Sequence, residues 1–150
     1  MATRSDIFSK LVRDFTRTDA LTLTPETRIG DVVGRMATEK HSAGVVIDPA
    51  SQVLGILTEQ DIVRRVAHRA EADQPCADIM SLPVEAIGED EYLYFAVARM
   101  RRLGFRHMPV VAADGRFVGI LDLNDAIAHA AGSLMGQIDA EFMEVPGEVL

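Results

Sequence analysis

Apolar residues occur along the chain in two recurring patterns, which predict strands and helices. Four short apolar runs, at residues 45–47, 53–57, 108–111 and 117–121, predict buried strands. Apolar residues at helical spacing precede and follow each pair of runs, and they also predict an amphipathic N-terminal helix over residues 5–15. The order of elements is therefore strand, helix, strand, strand, helix, and it occurs twice.

The ends of the predicted helices follow from capping residues. The first helix after the N-terminal segment is expected to begin with Thr24 as its cap and Pro25 in its first turn, and to end near Lys40. Its counterpart in the second half spans about residues 90–103, and the last helix begins near Asn124. Short extended segments precede the two earlier helices at residues 21–23 and 84–87.

The two halves of the chain are copies of one unit. Residues 55–61, Gly-Ile-Leu-Thr-Glu-Gln-Asp, recur 64 positions later as Gly-Ile-Leu-Asp-Leu-Asn-Asp at residues 119–125. A unit of about 60 residues is only marginally stable alone, so we expect the two copies to pack into one body. The expected divisions are an N-terminal segment (1–16), repeat 1 (17–70), a linker (71–77), repeat 2 (78–132) and a C-terminal helix extension and tail (133–150).

Composition narrows the classes of function. The 150 residues carry a net charge of −8, which argues against broad nucleic-acid binding. No apolar stretch reaches the roughly 20 residues of a membrane span, and no secretory signal opens the chain. The single cysteine, Cys76, excludes an internal disulfide and fits a cytoplasmic location.

The repeated Thr58-x-x-Asp61 pattern has two interpretations. Thr58 is a good helix cap and Asp61 suits the first helical turn, so capping alone explains the spacing. Alternatively, a hydroxyl and a carboxylate at a helix N-terminus can bind a phosphorylated ligand. The second copy has Asp122 and Asp125 instead, which keeps the capping chemistry and places a carboxylate where phosphate would lie.

Enzymatic and metal chemistry find no support in the sequence. The four histidines lie at no metal-ligand spacing, and the chain has no phosphate-binding glycine loop, nucleophile triad or paired acid and base. We therefore expect a protein that is not an enzyme and that holds no metal.

Three segments resemble one known family. Residues 55–63 are similar to the strand-to-helix signature of the CBS domain, residues 78–81 to its usual opening, and residues 105–111 to the segment that enters its middle strand. Over residues 14–131 the chain resembles a tandem CBS-domain protein, or Bateman module, of the small stand-alone type. The resemblance implies an α+β fold in which two β-α-β-β-α repeats pack as a pseudo-two-fold pair.

The resemblance also implies a regulatory module that binds an adenosyl ligand between the repeats. AMP, ADP and ATP, with or without magnesium, are the expected ligands. Carried over by position, Thr58 contacts phosphate and Asp61 holds the ribose hydroxyls, which agrees with the strength of hydrogen bonds to a carboxylate. The residues assigned to the base are Ala43, Gly44 and Val45, and those assigned to phosphate contacts are Arg106 and His107.

The second site departs from the family pattern. Asp122 would repel a phosphate, although Asp125 remains as a ribose acceptor. We expect this site to be empty, or to take a neutral nucleoside-like ligand or one that carries a cation. The alternative function is a non-catalytic scaffold with a vestigial groove. In either case we expect a homodimer that forms through helices, with a regulated partner protein that the sequence does not identify.

Overall fold

The structure is a computed structural model that describes residues 9–66, 70–81 and 85–129. Two three-stranded sheets form its centre, and both have the same order, with a parallel pair followed by an antiparallel pair. The first sheet contains β1 (Leu21–Leu23), β2 (Ala43–Ile47) and β3 (Val53–Thr58), and the second contains β4 (Ile87–Gly88), β5 (His107–Val111) and β6 (Phe117–Asp122).

Helices complete each repeat in the predicted order. They are α1 (Ile29–Glu39), α2 (Glu59–Val66), α3 (Leu93–Leu103) and α4, which covers residues 123–129. The α+β class and the two repeats of β-α-β-β-α are thus confirmed. Among the described residues, no helix has the length and apolar content that a membrane crossing requires.

The start of α1 was predicted wrongly. The helix begins at Ile29 and not beside Thr24, because residues 24–27 form a turn in which the Thr27 amide donates to the Thr24 carbonyl at 3.1 Å. The carbonyls of Pro25 and Thr27 are then used by the second half of the chain. They accept hydrogen bonds from Ala77 and Cys76, at 3.2 and 2.7 Å, where an earlier helix start would need them for its own amides.

Other boundaries differ by smaller amounts. α3 begins at Leu93, three residues after the predicted start, because Gly88, Glu89 and Glu91 form a turn that bonds to the N-terminal segment. In the N-terminal segment a helix was predicted over residues 5–15, but residues Val12–Phe15 form a short 3-10 turn. Residues 1–8, residue 84 at the start of the predicted strand, and the predicted helix extension and tail over residues 133–150 lie outside the described residues.

The turn that precedes each repeat packs into the core of the other repeat. Val12 is fully buried beside Ile87 and Met108 of repeat 2. Cys76 occupies the equivalent place in repeat 1, where it is fully buried and its thiol donates to the Thr24 carbonyl at 3.2 Å. Burial raises the pKa of this thiol, which keeps it in the neutral donor form. The predicted linker is therefore part of a core.

The chain also crosses between the sheets just after each of these turns. Arg17 bridges Ile120 in β6, and Ser81 bridges Ile56 in β3. The repeated glycine before each isoleucine allows this approach, since a Cβ at Gly119 would overlap the Arg17 carbonyl. Side chains from both sheets then meet in a shared apolar cluster that is built on Ala43, Val45 and Ile120.

Candidate ligand-binding grooves between the repeats

A groove of about 360 Å³ lies between the repeats at the N-terminus of α2. We call it the Thr58 groove. Repeat 1 contributes Thr58 and Asp61, and repeat 2 contributes Phe105, Arg106 and His107. The remaining lining residues are Ser42, Ile56, Glu59, Gln60, Arg64, Ser81, Glu85, Gly104 and Pro109.

Thr58 and Asp61 form a reciprocal cap at the start of α2. The Asp61 amide donates to Thr58 Oγ1 at 3.2 Å. In return, the amide and the hydroxyl of Thr58 both donate to Asp61 Oδ2, at 3.0 and 2.9 Å. The fold thus forms the helix cap that the capping interpretation describes. This cap occupies one of the two carboxylate oxygens of Asp61.

His107 joins the two repeats beside this groove. Its Nε2 lies 3.0 Å from Ser42 Oγ in repeat 1 and 3.2 Å from Asp122 Oδ2 in repeat 2. Nε2 donates to an oxygen when it carries the proton and accepts from the Ser42 hydroxyl when it does not, so the tautomer sets the direction of this contact. Burial lowers the pKa of His107 below its ordinary value, while the charge of Asp122 acts in the opposite direction.

Charges of both signs surround the groove. Arg106 is 61% exposed in its side chain, and its Nε lies 3.6 Å from Asp122 Oδ2. Arg64 also lines the groove, as do the carboxylates of Glu59 and Asp61 on the same helix. A third carboxylate, Glu85, pairs with an arginine of α3, Arg99, so its charge is already compensated. The groove can therefore offer cations to an anionic group.

A second cavity, of about 370 Å³, lies at the N-terminus of α4. We call it the Asp122 cavity. Asp122 and Ile120 come from repeat 2, and the facing residues of repeat 1 are Lys40, His41 and Ala43. The other residues that line it are Arg17, Asp19, Ala20, Met36, Ala37, Ser42, Glu59 and His107. Ser42, Glu59 and His107 line both spaces and so form the wall between them.

The cap of α4 is one-sided. The Asp125 amide donates to Asp122 Oδ1 at 3.0 Å, as in the first repeat. The Asp125 carboxylate does not return to this cap. It lies 3.2 Å from Arg17 Nε in the crossing segment and is 45% exposed in its side chain. Repeat 2 has two carboxylates where repeat 1 has a hydroxyl and a carboxylate. The cap of α4 therefore has one hydrogen bond from a backbone amide and no return contact from Asp125.

The structure brings together four of the seven residues assigned to the first site. Thr58, Asp61, Arg106 and His107 line one groove. The three residues assigned to the base lie elsewhere. Ala43 lines the Asp122 cavity, Val45 is fully buried in the cluster between the sheets, and Gly44 packs against Leu21 and Leu23 of β1, so Gly44 and Val45 line neither space.

Sequence reasoning missed the apolar residues of the Thr58 groove. Ile56 comes from β3, whereas Phe105 and Pro109 come from repeat 2. The 64-residue repeat could have indicated these apolar residues. Each groove combines the start of a helix from one repeat with the residues that enter the middle strand of the other. Phe105 is 39% exposed, so its ring is accessible from the groove.

Histidine, cysteine, aspartate and glutamate side chains are the candidates for metal ligation. Within residues 9–66, 70–81 and 85–129, no group of three or more histidine, cysteine, aspartate or glutamate side chains is placed to hold an ion. Both grooves are lined by polar, charged and apolar side chains.

Comparisons with known proteins place this fold in a class, the tandem pair of β-α-β-β-α repeats. A family model for the CBS domain matches residues 12–68 and again residues 76–132. A 17.7 kDa protein of Acidianus ambivalens is 31% identical over 114 residues, which are 76% of this chain and 69% of the relative. A CBS domain-containing protein of Arabidopsis thaliana is 28% identical over 125 residues, and this chain spans only 23% of its length.

Solved structures agree with the sequence relatives. The CBS-domain containing protein of Agrobacterium tumefaciens matches with a TM-score of 0.71 and 30% identity, over 80% of this chain and 98% of that one. A CBS domain protein from Pyrobaculum aerophilum, complexed with AMP, matches in fold with a TM-score of 0.73 and 23% identity, over 82% and 99% of the two chains. The chain therefore belongs to the CBS-domain family, and its two matched segments form a CBS pair.

Proposed function

We propose that this CBS pair is a non-catalytic sensor that binds an adenine nucleotide in the Thr58 groove. The observation that carries the proposal is the convergence of Thr58 and Asp61 of repeat 1 with Arg106 and His107 of repeat 2 on one groove. A hydroxyl, a carboxylate and two nitrogen donors are the groups that a ribose phosphate needs. The AMP complex of the Pyrobaculum aerophilum protein supports adenine nucleotides as the class of ligand.

We assign the ribose to Asp61. Both hydrogen bonds from Thr58 end on Asp61 Oδ2, so capping and ligand binding use different oxygens. Oδ1 then accepts from the ribose hydroxyls, in hydrogen bonds strengthened by the negative charge. Capping and ligand binding are thus compatible at the same residue.

We assign the phosphate to Thr58, Arg106 and the start of α2. The Thr58 hydroxyl donates to Asp61 in the free protein, and it would turn to a phosphate oxygen while the Thr58 amide keeps Asp61 in place. Arg106 supplies an exposed cation from the opposite repeat. His107 borders the same space with its ring.

For the base we propose the apolar side of the groove. Ile56 and Pro109 come from the two facing sheets, and the Phe105 ring can stack on a purine. This proposal replaces Gly44 and Val45 with residues that line the groove. A ligand held in this way contacts both repeats and stabilises their packing, which is how a CBS pair could signal to a partner.

The test is isothermal titration of the full chain with AMP, ADP, ATP and S-adenosylmethionine, with and without magnesium. Asp61→Asn should weaken binding of the preferred nucleotide at least tenfold, the effect of about 1.4 kcal/mol. The matched variant is Asp125→Asn, which changes a carboxylate at the equivalent position of repeat 2 and should leave that affinity within twofold.

A deoxyribose ligand locates the effect. If Asp61 holds the ribose hydroxyls, the loss caused by Asp61→Asn is smaller for the 2′-deoxy form of the same nucleotide. Absence of binding for all four ligands at millimolar concentration, or equal losses in the Asp61 and Asp125 variants, would contradict the proposal.

Exposed apolar residues on the helices favour the second candidate role, assembly with another copy. Val63 on α2 is 71% exposed, and Ile127, its equivalent on α4, is 37% exposed. We propose that these faces pair in a homodimer, since the repeat presents the same apolar position on both helices. Sedimentation equilibrium decides this point, because a monomer at micromolar concentration would exclude the scaffold as well as the dimeric sensor.

A further inference from the structure

One oxygen of the Asp122 carboxylate lies close to two side chains of repeat 2, Arg106 and His107, that line the Thr58 groove. Asp122 Oδ2 lies 3.2 Å from His107 Nε2 and 3.6 Å from Arg106 Nε. Arg106 lines the Thr58 groove, and His107 lies in the wall between that groove and the Asp122 cavity. Asp122 therefore lies directly behind the groups that would meet a phosphate.

We propose that Asp122 is an internal counter-ion that competes with the ligand's phosphate for Arg106 and His107, and so sets the phosphate affinity of the Thr58 groove from the opposite repeat. The proposal rests on nucleotide binding in the Thr58 groove. It assigns to Asp122 the role of a specificity-determining residue that does not itself line that groove.

The fold holds Asp122 in position for this competition. Its side chain is only 9% exposed, at the end of β6, and Oδ1 accepts the Asp125 amide at 3.0 Å. The carboxylate therefore needs no rearrangement to compete, and its partial burial strengthens its charge interactions. Arg106, in contrast, is 61% exposed and can turn toward either anion.

Capping does not explain why position 122 carries a charge. Position 58, its equivalent in repeat 1, caps α2 with the neutral hydroxyl of Thr58. At position 122, capping uses Oδ1, whereas Arg106 and His107 interact with Oδ2. An asparagine at 122 keeps the capping oxygen and removes the charge, which separates the two roles in one substitution.

The test compares ADP and adenosine binding to the full chain by isothermal titration. In Asp122→Asn the affinity for ADP should rise about three- to tenfold, the order expected for a partly exposed ion pair. The affinity for adenosine, which has no phosphate, should stay within twofold. Asp114→Asn is the matched control, because its carboxylate pairs with Arg116 outside both grooves and should leave both affinities within twofold.

A double-mutant cycle identifies the partner. In an Arg106→Gln background, Asp122→Asn should improve ADP binding by a smaller factor than it does in the wild type. Circular dichroism of each variant confirms that the chain is folded, so that a loss of structure is not read as a change of affinity.

The outcomes separate this proposal from the one on which it rests. If wild-type protein binds ADP and Asp61→Asn weakens that binding, but Asp122→Asn leaves it unchanged, nucleotide binding stands and the counter-ion proposal is overturned. Equal tightening of ADP and adenosine also overturns it, because the effect would then concern the groove and not the phosphate. If neither wild type nor Asp122→Asn binds ADP, both proposals fail.

Discussion

At the scale of single residues, His107 shows how burial and charge act against each other. Its side chain is 10% exposed and its Nε2 contacts Ser42 across the repeat boundary. Burial lowers the pKa of His107, with Asp122 raising it and Arg106 lowering it to smaller extents. Glu59 and Arg17 also face the ring, with charges that raise and lower the pKa respectively. The neutral ring is thus the form that the folded protein prefers.

This preference makes stability depend on pH. Because the pKa of His107 is lower in the folded chain than its unfolded value near 6.5, the unfolded state binds more protons as pH falls below about 6.5. The free energy of unfolding should therefore decrease from pH 7.5 to 5.5, by no more than about 1.4 kcal/mol per pH unit from this one group. Urea unfolding across this range measures it.

Two variants control for other titrating groups. His107→Gln keeps a side chain that can donate to Ser42 and should flatten the dependence over this window. His129→Gln, at an exposed position on α4, should retain the wild-type slope. A His107→Gln protein with an unchanged slope would show that His107 is not the group responsible.

At the scale of elements, the glycine before each repeated isoleucine has a packing role. Met80 and Ser81 pass over Gly55 in β3, whereas Thr16 and Arg17 pass over Gly119 in β6. A methyl group at Gly119 would overlap the backbone of Arg17, but at Gly55 it would meet the flexible side chain of Met80. The two crossings occupy equivalent positions in the repeats. They differ in how easily the segment that passes over the glycine can move away from an added methyl group.

Substitution by alanine should therefore have unequal effects. Gly119→Ala should lower the free energy of unfolding by about 3 kcal/mol, the upper end for an overpacked site, since backbone must move. Gly55→Ala should cost only about 1 kcal/mol, because a methionine side chain can repack. Chemical denaturation of both variants tests the ranking, and equal costs would contradict it.

Local sequence patterns predicted the elements well where interactions between nearby residues determine the secondary structure. The four longer strands, β2, β3, β5 and β6, follow from their apolar runs, and two carry the repeated signature. The start of α1 did not follow from Thr24 and Pro25, because amides from residues 76 and 77 occupy the carbonyls of that turn. A contact with residues about 50 positions away leaves no trace in the local pattern.

The candidate site shows the same division. Thr58 and Asp61 could be singled out because their pattern recurs beside a helix start, and both line the Thr58 groove. Phe105 and Pro109 were missed, because their role depends on how the second repeat faces the first. The base was assigned to Ala43, Gly44 and Val45 of repeat 1, whereas the apolar residues that line the Thr58 groove come from both repeats.

At the scale of the whole molecule, the exchange of turns joins the repeats into one body. Val12 belongs to the core of repeat 2, although it precedes repeat 1 in the chain, and Cys76 belongs to the core of repeat 1. The two residues are 64 positions apart, as are the crossings at Arg17 and Ser81. Each core is therefore completed by a segment that lies next to the other repeat in sequence.

This exchange predicts that a mutation in one turn loosens the distant repeat. Val12→Ala removes two methyl groups from a fully buried side chain, which should cost about 1–3 kcal/mol. Amide hydrogen exchange should then accelerate in β5 and β6 more than in β2 and β3, because local opening begins where packing is lost. Cys76→Ala should show the reverse pattern, with faster exchange in β2 and β3.

The pair of variants is its own control, since each reports on the repeat that the other leaves intact. Faster hydrogen exchange in repeat 1 alone for Val12→Ala would show that this turn packs with the repeat it precedes. That result would contradict the proposal that each turn completes the core of the other repeat. Nucleotide added at 100 times its dissociation constant should slow exchange in both repeats, because it adds about 2.7 kcal/mol to a body whose groove has walls from each. Protection confined to one repeat would mean that the ligand does not bridge the pair.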